Sequence, residues 1–137
     1  MSGIFKRCTT TSGITTRRAR SCCSTSRSTD PSAYAESKLC DVLLAFAVAR
    51  RWKDVKSNAL EPGWVATKMG GRSAPDDLYQ GCVTQAWLAT SEDELARSSG
   101  GYFYHQRPRA PNPTATDLRT QEELLAECGR ISGIPLD

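Results

Sequence analysis

A tyrosine and a lysine four residues apart, Tyr34 and Lys38, are the side chains of this sequence best suited to move a proton. On a helix, residues at this spacing lie on one face, so the phenol and the ammonium would point into the same site. A nearby cation favours the ionised form of a phenol, which helps it to exchange a proton near neutral pH. The pair predicts an acid/base site, although taken alone the same spacing is also typical of solvated helices.

The segment that carries this pair predicts a long helix over residues 33–52. It consists of good helix formers, and its apolar residues include a set at i, i+3, i+4 and i+7. Other apolar residues fill much of the opposite side, so we expect a helix that is buried on more than one face. The set comprises Leu39, Val42, Leu43 and Phe46.

The elements after this helix predict an α/β fold. We expect a strand over Val55–Glu61 that stops at Pro62-Gly63, a helix over residues 78–88 capped by Asp76 or Asp77, and a strand over Tyr102–His105. Residues 108–113 are expected to be a connector, and a last helix is expected to open at Thr116 or Asp117 and to end before Gly129. This order is typical of part of a parallel, doubly wound sheet.

The composition is that of one globular domain. Of the 137 residues, 39% are hydrophobic and 24% are charged, and no stretch approaches the roughly 20 apolar residues of a membrane-spanning helix. We therefore expect no transmembrane segment. Residues 1–31 are rich in Ser, Thr and Arg and predict an irregular or disordered segment, with an organelle transit peptide as the alternative. Residues 32–137 are expected to form the folded part.

Charge and cysteine content exclude several classes of protein. The net charge of +3 comes from the N-terminal segment, whose arginines alternate with Ser and Thr rather than with aromatic residues, so no nucleic-acid partner is expected. The six cysteines are irregularly spaced without a CxxC pair, and His105 is the single histidine. We expect neither a metal site nor a disulfide framework. Reduced thiols favour a cytoplasmic protein.

Two motifs and one strand resemble the C-terminal half of the short-chain dehydrogenase/reductase family. The resemblance covers residues 32–105, and it is closest to the retinol-dehydrogenase-like branch. It implies the C-terminal half of a Rossmann-like, doubly wound parallel sheet. The matched positions are Tyr34 and Lys38 of the YxxxK helix, Pro62, Gly63 and Thr67 of the PGxxxT loop, and Gly100-Gly101-Tyr102-Phe103 of the last core strand.

The resemblance implies hydride transfer between NAD or NADP and a small-molecule alcohol, ketone or aldehyde. Tyr34 would be the catalytic acid/base, and Lys38 would bind the nicotinamide ribose and tune the phenol. The nicotinamide pocket would be lined by Pro62, Gly63 and the backbone near Val65. Thr67 would bond the carboxamide or a phosphate. Trp64, Met69 and Tyr104 suggest a hydrophobic substrate pocket.

The family's catalytic serine has two candidates in this sequence. Ser2, in Ser2-Gly3, resembles the end of the family's SSG-type segment, and it is the favoured candidate. Ser21 lies thirteen residues before Tyr34, which is the shorter spacing common elsewhere in the family. A surface hydroxyl is the competing interpretation of both.

The sequence contains no TGxxxGxG turn, with which the family binds the dinucleotide. We therefore expect weak cofactor binding and a truncated or frame-shifted chain. The alternative function is a catalytically inert fragment that acts as a protein-interaction module. The apolar helix, over residues 34–51, is a candidate surface for a homo-oligomer in both cases.

Overall fold

The computed structural model describes residues 31–135, and these form two compact units. The first unit contains residues 31–44 and 114–135, and the second contains Ala45–Pro113. The segment predicted to be irregular, residues 1–31, lies outside the described part except for Pro31. The described residues contain three α-helices and a sheet of three strands, so the predicted α/β class is confirmed.

The first helix, α1 (Pro31–Arg51), begins and ends within two residues of the predicted helix. Its most buried side chains are Leu43, Phe46 and Ala47. The neighbouring apolar side chains of Val42 and Leu44 are only partly buried. The exposed side chains of the described helix are those of Tyr34, Lys38 and Asp41, which lie on one face, and its other described side chains are buried or half-buried.

The sheet consists of β1 (Ala59–Glu61), β2 (Tyr102–Tyr104) and β3 (Arg107–Pro108), in that order. β1 and β2 are parallel, with Ala59 opposite Tyr102 and Glu61 opposite Tyr104. β3 pairs antiparallel with β2. The sheet is thus mixed, and the predicted parallel arrangement holds for β1 and β2.

The strand predicted over Val55–Glu61 is shorter than expected at its start. The Ser57 N–H donates to Ser99 Oγ at 3.0 Å, and the Asn58 side chain donates to Ser98 O and accepts from the Gly101 N–H, both at 2.8 Å. Because these polar groups bond to the loop before β2, ladder pairing begins only at Ala59.

A tight hairpin replaces part of the predicted second strand and of the connector after it. His105 and Gln106 have φ angles of 48° and 62°, and they form the two-residue loop between β2 and β3. Loops of this hand match the twist of the strands that they join. The expectation that His105 belongs to the strand and that Pro108 begins a connector is therefore wrong. Pro108 lies in β3, at the edge of the sheet, where its missing N–H is tolerated.

The helix α2 (Leu78–Thr90) connects β1 to β2 and packs under the hairpin. Of the two predicted caps, Asp77 is the one used, since its side chain accepts from the Gln80 N–H at 2.7 Å. Phe103 of β2 is 2% exposed, and its ring meets that of Trp87 edge-on at 5.6 Å. The buried hydroxyl of Thr84 accepts from the Gln106 N–H at 3.1 Å, which anchors the hairpin loop.

The first unit contains the last helix, α3 (Leu118–Ser132), which follows a 3₁₀ turn over Pro113–Thr116. Asp117 caps it, and the hydrogen bond from the Thr120 side chain lowers the pKa of this carboxyl. The helix passes through Gly129 and ends at Gly133, whose φ of 72° is a left-handed cap, so the predicted end was wrong. No helix in residues 31–135 is long and apolar enough to cross a membrane.

We expect Thr84→Val to lower the free energy of unfolding by about 1–3 kcal/mol, because the Gln106 N–H would lose its buried acceptor. Urea denaturation of the full chain measures this change. Thr90→Val is the matched control on α2, since that hydroxyl bonds the Ala86 carbonyl at an exposed site, and we expect it to cost less than about 0.5 kcal/mol. Equal costs for the two variants would contradict the anchoring role.

Candidate active site

The first turns of α1 bring Tyr34 and Lys38 together, as their spacing predicts. The Lys38 Nζ lies 5.9 Å from the centre of the Tyr34 ring. The tyrosine is 56% exposed, so the phenol can be reached by a small molecule. The Tyr34 carbonyl accepts a hydrogen bond from Ser37 Oγ at 2.7 Å. A solvent-accessible phenol beside an ammonium can exchange a proton with a bound oxygen.

Asp41, one turn further along α1, holds the ammonium of Lys38. The Lys38 Nζ donates to Asp41 Oδ2 at 2.8 Å, and both side chains are well exposed. This hydrogen bond and the carboxylate charge raise the pKa of Lys38 above its ordinary value of 10.5, with a smaller contribution from Tyr34. Lys38 is therefore a fixed cation at physiological pH. The sequence analysis missed Asp41, which the i, i+3 spacing could have revealed.

The predicted loop residues Pro62, Gly63, Val65 and Thr67 follow β1 directly. The loop closes on itself, because residues 64–66 pair with Asp76 in a parallel bridge. The Asp76 N–H donates to Trp64 O at 3.1 Å, and the Ala66 N–H donates to Asp76 O at 3.0 Å. These two hydrogen bonds join the ends of residues 64–76 and close the segment into one loop.

Thr67 makes a turn inside this loop. Its hydroxyl accepts from the Gly70 N–H at 3.1 Å, and the Trp64 indole N–H donates to Gly70 O at 2.8 Å. Thr67 is exposed, and a hydroxyl that accepts one bond still has a proton to donate. The residue is thus a turn former whose hydroxyl can also bond a ligand.

Asp76 and His105 flank Gly63 and were not among the predicted site residues. Asp76 Oδ2 accepts from the Trp64 N–H at 2.8 Å, and Asp76 Oδ1 lies 3.7 Å from His105 Nε2. Asp76 was considered only as a helix cap and His105 only as a strand residue. Asp76 and His105 could have been predicted from the topology of the sheet, because the carboxyl ends of parallel strands meet at one edge.

A second cluster lies at the end of β1. Arg109 Nη1 donates to Glu61 Oε2 at 2.6 Å, and the Tyr102 hydroxyl lies 3.4 Å from the same oxygen. Burial, followed by the charge of Glu61, raises the pKa of the Tyr102 phenol, which keeps it neutral at physiological pH. The Arg109 guanidinium lies 5.1 Å from the centre of the Tyr104 ring. These contacts fix the side chain of Glu61, the residue that directly precedes Pro62.

The predicted site residues thus form two groups, one in each unit. Tyr34 and Lys38 belong to the first unit, and the loop after β1 belongs to the second. The predicted serine, Ser2, and its alternative, Ser21, lie outside the described residues. Of the residues expected to form a hydrophobic pocket, Trp64 is 56% and Met69 83% exposed.

Comparison with known proteins identifies close relatives of this chain. It is 40% identical over 108 residues to an uncharacterized oxidoreductase of Emericella nidulans, a match that covers 77% of this chain and 42% of the relative. It is 37% identical over 105 residues to the short-chain dehydrogenase chry4 of Gibberella zeae, covering 76% and 40%. Human retinol dehydrogenase 13 is 31% identical over 121 residues, covering 74% and 37%.

Over about three quarters of its length, the chain is homologous to oxidoreductases of the short-chain dehydrogenase/reductase family. The match to retinol dehydrogenase 13 confirms the predicted likeness to the retinol-dehydrogenase-like branch. The chain spans about two fifths of the length of the curated relatives that it matches. No family model and no solved structure matches it.

The structure predicts that Gly63 tolerates no side chain. Its φ is 88°, and a Cβ there would lie 2.3 Å from Asp76 Oδ2. Gly71 is the matched control in the same loop, since its φ is 77° but a Cβ would meet nothing within 4 Å. We expect Gly71→Ala to cost about 1–2 kcal/mol of stability through its backbone alone.

We expect Gly63→Ala to cost about 1–3 kcal/mol more than Gly71→Ala, because the carboxylate must leave the Trp64 N–H. Chemical denaturation of both variants of the full chain gives the difference. Equal losses would show that the backbone conformation, and not Asp76, restricts position 63.

Asp41→Asn should lower the pKa of Lys38 towards 10.5, since the carboxylate charge is removed and the amide oxygen that remains is a weaker acceptor. A raised lysine pKa stabilises the fold below the unfolded value, and this contribution is lost as the pH rises through the folded value. As the pH rises from the unfolded to the folded pKa of Lys38, the free energy of unfolding should therefore fall less in the Asp41→Asn chain than in the wild type. A carbon-13 NMR titration of the lysine Cε measures the pKa.

Glu36→Gln is the control, because it removes an equal charge from α1, and it should leave the pKa of Lys38 nearly unchanged. An equal shift of this pKa in both variants would refute the specific pairing with Asp41.

Proposed function

We propose that this chain is an NAD(P)(H)-dependent oxidoreductase of the short-chain dehydrogenase type. It would interconvert a small-molecule alcohol and the corresponding ketone or aldehyde. The observation that carries the proposal is the contact between Lys38 and the Tyr34 ring on α1, in a chain 40% identical to an oxidoreductase. An exposed phenol beside a permanent cation suits proton exchange with a substrate oxygen.

Tyr34 is proposed as the acid/base. It donates its phenolic proton to the carbonyl oxygen in reduction, and it removes the hydroxyl proton in oxidation. The nearby ammonium of Lys38 stabilises the phenolate that remains after donation. When bound, the nicotinamide supplies or accepts the hydride. Ser2 is proposed to polarise the substrate oxygen, as the family resemblance implies.

Lys38 is proposed to hold the ribose hydroxyls of the nicotinamide nucleotide. An ammonium has three N–H donors, and Asp41 takes one of them. Two donors remain for a pair of hydroxyls without loss of the ion pair. The residues present therefore fit such a group, and the Asp41 contact limits the directions in which the donors point.

The loop after β1 is proposed to hold the nicotinamide ring. Pro62 and the backbone near Val65 would line it, with Gly63 leaving the space that a side chain would occupy. Thr67 would donate its hydroxyl proton to the carboxamide or to a phosphate, because its oxygen already accepts from the Gly70 N–H. This loop lies at the carboxyl end of a parallel strand, which is where dinucleotides bind in open α/β sheets.

We further propose that residues 32–137 are the C-terminal part of a Rossmann-like, doubly wound domain. What supports this is the parallel pair β1–β2, whose connection contains α2. Parallel neighbours need such a crossover, and a helix is the usual one. β3 would then be an antiparallel addition at the edge.

The test is oxidation of NADH and NADPH by the purified full chain with a panel of aldehydes and ketones. Millimolar cofactor is used, since the sequence contains no TGxxxGxG turn. We expect turnover with at least one carbonyl, and Tyr34→Phe should lower kcat roughly 10²- to 10⁴-fold through loss of the acid/base.

Tyr79→Phe is the matched control, because it removes another exposed phenol, on α2, that has no proposed role. It should leave kcat unchanged. Absence of turnover by the wild-type chain, or equal activity of Tyr34→Phe and Tyr79→Phe, would overturn the proposal.

A further inference from the structure

Asp76 makes three backbone contacts with the start of the loop that follows β1. Its carboxylate oxygen Oδ2 accepts from the Trp64 N–H at 2.8 Å. Its own N–H donates to Trp64 O at 3.1 Å, and its carbonyl accepts from the Ala66 N–H at 3.0 Å. The bond to the carboxylate is charge-assisted, which makes it the strongest type among the three. One residue thus fixes the backbone on both sides of Val65.

His105, in the hairpin loop after β2, packs against the same turn. Its Nε2 atom is buried, has no hydrogen-bond partner within the described residues, and lies 3.7 Å from Asp76 Oδ1. The ring is held in place by stacking on Tyr104 at 4.0 Å, and the next residue, Gln106, is anchored to Thr84. The imidazole ring therefore has a fixed position next to the Asp76 carboxylate.

Gly63 lies against both groups. A Cβ on this residue would be 2.3 Å from Asp76 Oδ2 and 3.3 Å from His105 Nε2. The Pro62–Val65 turn is thus held by a carboxylate bond on one flank and by a packed ring beside it. The Thr67 hydroxyl bonds within its own turn, to Gly70, and this residue reaches the Pro62–Val65 turn only through its backbone N–H, which donates to Val65 O at 2.8 Å.

We propose that Asp76 is a positioning residue that sets the Pro62–Val65 backbone for the nicotinamide while touching neither cofactor nor substrate. His105 packs beside the Asp76 carboxylate and supports its position. This inference rests on the proposed function, because that function places the nicotinamide against this turn. The carboxylate acts through the Trp64 N–H, so its removal should free the turn before it disturbs the sheet. The sheet pairs of β1 and β2 do not involve Asp76.

The test uses the full chain with Asp76→Ala, Asp76→Asn and the control Asp77→Asn. Asp77 is the neighbouring carboxylate, which caps α2, and Asn caps a helix about as well as Asp. Hydrogen exchange resolved to single amides is measured for Trp64 and for the strand amides of Glu61 and Phe103, which face each other in the β1–β2 ladder. We expect Asp76→Ala to speed Trp64 exchange about tenfold, Asp76→Asn to have a smaller effect because an amide oxygen still accepts, and Asp77→Asn to have none.

The strand amides should exchange at the wild-type rate in all three variants. Unchanged Trp64 exchange in Asp76→Ala would overturn the proposal, because it would show that the carboxylate does not protect this amide. An equal acceleration of the strand amides would also overturn it, because it would show a general loss of stability.

The second readout is the dissociation constant of NADH and NADPH. Asp76→Ala should weaken binding about tenfold relative to Asp77→Asn, with partial recovery in Asp76→Asn. Equal affinities in Asp76→Ala and Asp77→Asn would overturn the positioning role. If the wild-type chain binds neither cofactor and turns over no carbonyl, the proposed function fails, whereas the exchange of Trp64 still decides whether Asp76 fixes the turn.

Discussion

The parallel register of β1 and β2 is the constraint on which the second unit depends. Because Glu61 is opposite Tyr104, both strands leave the sheet at the same edge and at the same level. The residues that follow, Pro62-Gly63 on one strand and His105 on the other, are thereby brought side by side. Asp76 then reaches the same place through its bridge to the loop. A shift of one residue in this register would separate the imidazole from the glycine that it backs.

Local signals in the sequence predict much of this architecture. The run of helix formers gives α1, the aromatic triplet at Tyr102 gives β2, and the capping chemistry of aspartate gives the starts of α2 and α3. The spacing of Tyr34 and Lys38 places them on one face, as the structure has them. Each of these predictions depends on interactions between residues close in sequence.

The features that the sequence does not predict depend on distant partners or on unusual backbone angles. Nothing local indicates that Asn58 bonds the loop before β2 or that Asp76 bonds Trp64, since each contact joins separate segments. The hairpin loop uses His and Gln at positive φ, where Gly or Asn would be the usual signal. Gly129 and Gly133 are equivalent as sequence signals, and only the second adopts the left-handed cap.

Pro108 has a consequence for how the sheet can grow. A proline offers no N–H to a further strand, so the outer side of β3 is a poor template for another chain. Among the described strands, lateral extension is therefore directional, and it is favoured along the outer side of β1. There the N–H and C=O of Leu60 point outward, because those of Ala59 and Glu61 face β2. A polypeptide that docks as an added strand would meet this sheet from one side only, next to the turn at Gly63.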